Sequence, residues 1–410
     1  MNELDVAIVG GGLVGASLAL ALAPTGLRVT LIESVAPDAS VQPSFDDRTT
    51  ALGNGTRRSF EALGVWPAIA SRAAPIRRLH VSDAGRYGFA RLAAEEHGIE
   101  AFGYVVTNRI LGAALQDRLA SVPDLTWHRP ARCTDVSIGE HAVTLAISSD
   151  SAPIRAKLVV AADGANSSVR AAAGIAADIE DYAQVAVVAH VAAARAADGT
   201  AYERFTPSGP FAVLPLADGH YGVVWTLGPT EAQRVLAMSD ADYLAALQRA
   251  FGWRLGRFTR VGRRQTYPLA LVRAAALTGP RTVLIGNAAQ ALHPVAGQGF
   301  NLGLRDAATL AEILVEGLAA SRAAGSPFDA GAAVLLAEFA ARRIDDRTGV
   351  TQFTDRLVKL FGDSRPGVPW LRDLGLLLFD LSPTAKQALS RLSWGFAGRT
   401  PRLARGLPLG

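Results

Sequence analysis

Cysteine is almost missing from this chain: Cys133 is the only one in 410 residues. A disulfide framework is excluded, and so is any metal site that needs several thiolates. His293 has no second histidine at ligand spacing, so no metal centre is expected. No charge-free apolar run reaches about 18 residues, so no segment is expected to span a bilayer. The first residues, MNELDVAIVG, carry no basic segment ahead of the first apolar run. No signal peptide is expected, and the expected setting is reducing and cytoplasmic. Internal repeats and low-complexity linkers are missing too. Net charge is only +4, and no nucleic-acid partner is expected.

What is present is globular in composition. Half the residues are apolar, with 40 glycines and 21 prolines, and the length suits one or two domains around a large core. Charge is uneven at the end of the chain, where Arg391, Arg399, Arg402 and Arg405 stand without an acid. That cluster reads either as a solvated tail or as a contact with anionic lipid. Trp370–Leu381, WLRDLGLLLFDL, is apolar enough to lie in a membrane interface or to pack on the body.

The chain is organised around Leu284–Asp306, LIGNAAQALHPVAGQGFNLGLRD. A strand ends at Ile285 and Gly286 breaks it. A turn with two glycines around Gln298 follows, and Asn301 is expected to open a helix running to Leu318. Such a strand, aimed at a helix N-terminus whose first N–H groups are unpaired, is a binding geometry for an anion or an electron-rich ring. Its counterpart is Val6–Glu33. A buried parallel strand, Asp5–Val9, enters Gly10-Gly11-Gly12-Leu13-Val14-Gly15, then a helix from Ala16 to Ala23 and a second strand closed by Glu33. Gly10 makes the turn, Gly12 admits a pyrophosphate, and Gly15 allows helix and strand to pack. Glu33 can accept both hydroxyls of an adenosine ribose and disfavours a 2′-phosphate. Together the two segments predict one dinucleotide held by both ends of the chain.

Between them, Asn54–Leu63 reads as a helix, and Arg48 as either a surface cation or a residue folding over the cofactor. Ile76–Ala90 is strand-like with a turn at Gly85, an excursion toward a second domain. Arg109 stands at the start of a helix marked by Leu111, Leu115 and Leu119, where a cation is misplaced as a cap; that favours a phosphate or ribityl contact. Leu158–Ala162 runs into Asp163-Gly164, a carboxylate at a strand end where open sheets bind ligands, or else a plain hairpin or helix cap. Arg170 is a candidate brace for that loop, through Asp163. Tyr182–Ala194 and Phe211–Leu227 resemble strands of a second sheet, with a turn at Asp218-Gly219 and an edge or bulge at Pro215. Phe205, Phe211, Tyr221 and Trp225 line a pocket or, one by one, fill a core. Ala237–Phe251 and Ala332–Asp346 read as helices, and Tyr267-Pro268-Leu269 as a border of the cavity between domains.

These motifs together resemble the class A FAD-dependent aromatic monooxygenases, specifically the ubiquinone-biosynthesis hydroxylases, over nearly the whole chain. The resemblance implies an α/β fold: a Rossmann-like FAD-binding domain (1–75, 100–175 and 265–345), an inserted mixed β-sheet substrate domain (76–99 and 176–264), and a helical C-terminal region (346–410). It implies that Gly10, Gly12, Gly15 and Glu33 hold the ADP half of FAD, and that Arg109 and Asp163 lie at its phosphates or ribityl chain. Arg48 matches an arginine near the flavin, and Pro294, Gly297, Gln298, Gly299, Phe300 and Asn301 would sit beside the isoalloxazine. The family's third motif usually begins Gly-Asp-Ala-Ala-His. Here it is Gly286-Asn287-Ala288-Ala289-Gln290, which removes a charge but keeps a hydrogen-bonding group at Asn287. This variant, with Leu-His-Pro, resembles the branch acting on 2-octaprenyl-6-methoxyphenol.

By that resemblance, NADH or NADPH reduces FAD transiently, and O2 reacts at flavin C4a to form a hydroperoxide that hydroxylates an electron-rich phenol. No side chain is expected to be an essential catalytic base. The implied product is 2-polyprenyl-6-methoxy-1,4-benzoquinol, and the expected partners are the polyprenyl phenol, O2 and other ubiquinone-biosynthesis proteins. Peripheral contact with the inner membrane would explain the apolar tail. The alternatives are another ring position, another aromatic, a flavin-dependent isoprenoid reductase, or a non-catalytic FAD-bound subunit.

Overall fold

The computed structural model describes residues 3–36, 45–123, 125–149, 152–362, 365, 367–380, 382 and 400–409. Its helices in chain order are α1 (Leu13–Leu22), α2 (Asn54–Ala62), α3 (Trp66–Ile69), α4 (Asn108–Ala120), α5 (Ser168–Ala172), α6 (Pro229–Leu236), α7 (Asp240–Phe251), α8 (Gln298–Ala323), α9 (Ala333–Gly362) and α10 (Val368–Asp380).

The first sheet has a parallel centre in the spatial order Thr282–Leu284, Ile154–Ala161, Leu4–Val9, Val29–Ile32, Thr126–His128. Val6, Ala7 and Ile8 have no exposed surface, as expected of a parallel strand covered on both faces. The neighbours of Leu4–Val9 diverge to either side of it, so a crevice opens at its carboxyl end. Helix α1 packs there between α4 and α8, and Leu111, Leu115 and Leu119 of α4 turn into this core.

The second sheet is mixed and nine-stranded. Ala177–Ala193 is its longest strand, paired with Tyr221–Leu227 on one side and Gln265–Ala274 on the other. Arg78–Asp83 lies parallel to Thr200–Thr206 and turns back through Gly85 (φ +73°) into Phe89–Ala93, so this excursion does join the second sheet. Helices α6 and α7 cover one face, where Phe211, Tyr221 and Trp225 pack with Tyr243 and Phe251. Phe205 stacks on Phe361 of α9 at 3.6 Å. All four aromatics are therefore core.

Several boundaries differ from the sequence reading. Residues 265–274 were expected in the first domain but form a strand of the second sheet, because Gln265–Ala274 pairs from end to end with Ala177–Val188. Gly209–Pro215 is an interior strand; Pro215 is tolerated as its last residue, paired only with Tyr221. Residue 346 is no boundary, since α9 runs through it to Gly362. At the chain end, Leu403 and Ala404 are buried on the body while Arg402 and Arg405 are exposed. Arg391 and Arg399 lie outside the described residues.

Candidate active site

The carboxyl ends of the parallel strands open into a cavity of about 800 Å³, bordered on its far side by the second sheet. The glycine turn forms one end. Gly10 has φ +104°, and a Cβ there would fall 2.3 Å from the carbonyl oxygen of Ala162. A Cβ on Gly15 would fall 1.9 Å from the Gly10 carbonyl oxygen, so this glycine lets α1 close on its own turn. Gly12 stands at the N-cap of α1 and lines the cavity. Glu33 is braced by backbone donors: the Gly11 N–H donates to Oε2 at 2.7 Å and the Val35 N–H to Oε1 at 2.8 Å. Oε1 also accepts from the Ser34 hydroxyl at 3.4 Å, so Oε2 is the oxygen that keeps a lone pair for a ligand hydroxyl.

Asp163 combines two of the roles its motif suggested. Its Oδ2 accepts from the Ser168 N–H at 2.8 Å and the Val169 N–H at 3.3 Å, capping α5, while Oδ1 is buried at the cavity with no partner among the described residues. A buried carboxylate oxygen without a donor is costly unless a ligand supplies one. Arg170 does brace this loop, but not through Asp163. Its guanidinium donates to the carbonyls of Ala165 (2.8 Å) and Ala288 (2.9 Å), tying the Asp163 loop to the third motif.

In that third motif, Asn287, Pro294, Gly297, Gln298, Gly299, Phe300 and Asn301 all line the cavity. Helix α8 begins at Gln298, three residues before the expected start, with Gly297 (φ +60°) as its N-cap. Asn301 is consequently no cap. It is a buried clamp whose Oδ1 accepts from the Gly53 N–H (2.8 Å) and the Thr56 hydroxyl (2.7 Å), and whose Nδ2 donates to the Ala51 and Gly297 carbonyls. Gly286 is not among the cavity residues. It gives room to Val14 of α1, whose Cγ2 lies 3.2 Å from where a Cβ would stand. Gln290, where the family usually has histidine, is buried and donates to Asp306 Oδ2 at 2.8 Å.

The arginines part company. Arg48 lines the cavity, ion-paired with Asp46 at 2.8 Å and lying 4.4 Å over the Tyr267 ring. Arg109 does not line it: the side chain is exposed and paired with Asp47. Its neighbour Asn108 holds the cavity position and accepts from the Thr50 hydroxyl at 2.6 Å. Tyr267-Pro268-Leu269 also stays off the lining, although Tyr267 reaches the first domain by donating to Asp46 at 2.7 Å.

The sequence reading dismissed His293 as a metal ligand and used it only as part of the Leu292-His293-Pro294 signature, with no role for its side chain. It is buried at the cavity, and burial lowers its pKa to about 4, so it is neutral near pH 7. Its Nδ1 accepts from the Val295 N–H at 3.2 Å, which puts the proton on Nε2, an atom with no partner among the described residues. The apolar wall of Leu79, Val81, Ala212, Leu214 and Val224, broken by Glu203, was not foreseen either. Its only sequence signal is alternation along strands of the second sheet.

The comparisons with known proteins fall on this same architecture. A family model described as FAD binding domain matches residues 3–325. The ubiquinone hydroxylase UbiL of Rhodospirillum rubrum is 39% identical over 99% of this chain and 93% of its own length. The chain belongs to the FAD-dependent ubiquinone-hydroxylase family. A second family member, the 3-demethoxyubiquinol 3-hydroxylase of Escherichia coli, is 33% identical over 95% of this chain and 98% of its own. Among solved structures, p-nitrophenol 4-monooxygenase PnpA from Pseudomonas putida shares the fold, with a TM-score of 0.77 at 22% identity. It covers 97% of this chain and 100% of that one.

As a member of this family the chain binds FAD and is an FAD-dependent monooxygenase. The residues fit that cofactor: the glycine turn leaves no room for side chains, and Asp163 Oδ1 awaits a donor.

Proposed function

We propose that this chain hydroxylates 2-polyprenyl-6-methoxyphenol para to its oxygen, giving 2-polyprenyl-6-methoxy-1,4-benzoquinol in ubiquinone biosynthesis, with NADH or NADPH as reductant. The observation that carries this is the continuity of one cavity from the glycine turn, past Asn287–Asn301, to the apolar wall of the second sheet. A cofactor laid along the first part would present its reactive ring to a phenol lying against the second. The ring position rests on the Asn287-Ala288-Ala289-Gln290 variant and its resemblance to that branch of the family.

When bound, FAD supplies the redox chemistry with O2 and the nicotinamide. The chain's own part is to bind, orient and exclude water. Gly10, Gly12 and Glu33 would receive the ADP half, Asp163 Oδ1 would accept from a hydroxyl, and the Asn287 amide would serve the ribityl chain without adding charge. The positive end of the α8 dipole would offset negative charge on the ring. Neutral His293 offers an N–H at Nε2, and the apolar wall keeps water from the reacting carbon.

A second reading, hydroxylation at another ring position, is favoured by the likeness to the 3-demethoxyubiquinol 3-hydroxylase. Isotopically labelled O2, supplied with FAD, NAD(P)H and a short-chain 2-polyprenyl-6-methoxyphenol, separates the two. Label para to the phenol oxygen is expected. Label elsewhere on the ring selects the second reading, and nicotinamide oxidation with no label in the product rejects both.

A further inference from the structure

Among the described residues, three carboxylates line the cavity: Glu33, Asp163 and Glu203. Glu33 and Asp163 stand at strand ends of the first sheet, where backbone N–H groups hold them at the cofactor end. Glu203 belongs to the second sheet, on the far side, and its direction follows from strand register. It stands opposite Val81 in Arg78–Asp83 and opposite Ala212 in Gly209–Pro215, and Ala212 stands opposite Val224 in Tyr221–Leu227. Residues directly opposite across a sheet share a face, and all four of these line the cavity. Leu79, Ala201 and Leu214, each two residues along from a member of that row, line it too. Asp83 shares the face but not the cavity, and is ion-paired with Arg372 of α10 at 2.9 Å. Glu203 is thus the one carboxylate that this sheet presents to the cavity among the described residues.

The row also meets the segment that would flank the flavin. Val295 packs in one cluster with Val81 and Phe205. Val81 is the residue opposite Glu203, and Phe205 lies two residues along from Glu203 on the same strand. Glu203 therefore stands where the apolar wall meets Pro294–Asn301. A carboxylate is a costly choice for such a wall, because an ionised group loses hydration there and only donors that reach it offset the loss. An apolar side chain between Val81 and Ala212 would pack without that cost. The position suits a ligand that brings a donor.

We propose that Glu203 recognises the hydroxyl of the phenol and thereby selects the ring carbon that meets the cofactor, an assignment that rests on the function proposed above. An ionised carboxylate only accepts hydrogen bonds. Of the three substituents on 2-polyprenyl-6-methoxyphenol, the hydroxyl alone is a donor. A ring placed with its methoxy group at Glu203 would set two acceptors against each other, and one placed with its chain there would bury the carboxylate against carbon. Both misplacements leave a charge without a donor, so one orientation is favoured, with the chain left to Leu79, Leu214 and their apolar neighbours. A hydrogen bond to an anion also enriches the phenol oxygen in electron density. Conjugation carries that density to the ortho and para carbons, of which only the para carbon is unsubstituted.

The test uses full-length, FAD-loaded protein without reductant, so that no turnover is needed. Binding of a short-chain 2-polyprenyl-6-methoxyphenol and of its O-methyl ether is followed by the change in flavin absorbance. The wild type is expected to bind the phenol roughly tenfold or more tighter than the ether. Glu203→Leu should weaken the phenol by about that factor and bind the ether at least as well as the wild type does, which abolishes the preference. Glu203→Gln keeps the shape should the leucine variant not fold, and it should cut the preference severalfold. A wild type without the preference, or folded and FAD-loaded variants that keep it in full, overturns the proposal. A preference lost in the variants, in a wild type that puts no label from O2 into the product, supports recognition by Glu203 and rejects the proposed reaction. If the wild type binds neither prenylated compound, the substrate reading fails and phenol against anisole decides for Glu203. A preference for phenol that the variants lose then supports its role, and one that is absent or unchanged overturns it.

Discussion

At the scale of single residues, Asp163 carries the most argument, because its two oxygens do different work. Oδ2 caps α5 and Oδ1 faces the cavity with no partner among the described residues. Asp163→Asn can keep the cap through its carbonyl oxygen but puts an amide N–H where an acceptor is wanted. FAD affinity is expected to fall roughly 10- to 100-fold with the melting temperature of the FAD-free protein little changed, as followed by flavin fluorescence titration and thermal unfolding. Asp163→Ala should lose both. The position of Asp163 was legible because the strand-end carboxylate is a local pattern. Arg109 and Asn108 show the limit of such reading. The helix was visible, but its rotation, which turns Asn108 inward and Arg109 out to Asp47, is set by packing of Leu111, Leu115 and Leu119.

At the scale of elements, α8 and α9 are joined by a buried chain of charges. Arg343 of α9 pairs with Asp306 of α8 and Asp346 of its own helix, each at 2.7 Å, and Arg305 pairs with Asp346 at 2.7 Å. Asp306 in turn receives Gln290 and the Gly286 N–H, so the network holds the third motif from behind. Arg343→Met leaves Asp306 buried without its cation, at a cost of about 3–5 kcal/mol. The expected fall in melting temperature is roughly 3–6 °C for a chain of this length, measured calorimetrically, with FAD affinity also reduced. None of this network was foreseen, because its members lie dozens of residues apart and look like ordinary helix charges. The start of α8 was misplaced for a related reason. Asparagine is a favoured N-cap, but at Asn301 the bonds to Gly53, Thr56 and Ala51 outweigh that local preference.

At the scale of the whole molecule, acid stability should follow the buried histidines. His293 and His80 both have pKa values lowered to about 4, chiefly by burial, with Arg254 adding to the effect at His80. An unfolded imidazole takes its proton near pH 6.5. Between those values the unfolded chain therefore binds more protons than the folded one, so stability is lost as pH falls from about 6.5 to about 4. His293 alone accounts for roughly 3 kcal/mol over that window. Urea unfolding across a pH series should show this slope, and His293→Gln should flatten it. A variant as acid-sensitive as the wild type would assign the slope elsewhere.

The sequence by itself determined the parallel sheet, the glycine turn with Glu33, the Asp163 corner and the stretch from Asn287 to Asn301. Each of these is encoded within a few neighbouring residues, by strand hydrophobicity, glycines without room for a side chain, or a carboxylate at a strand end. Only the tertiary structure decided that Gln265–Ala274 belongs to the second sheet, that Arg109 faces away, that His293 is a buried neutral donor, and that α10 packs on the body with an apolar face outward. Those outcomes depend on strand pairing, helix rotation and desolvation, which are properties of distant segments brought together and leave no mark in the local order of residues.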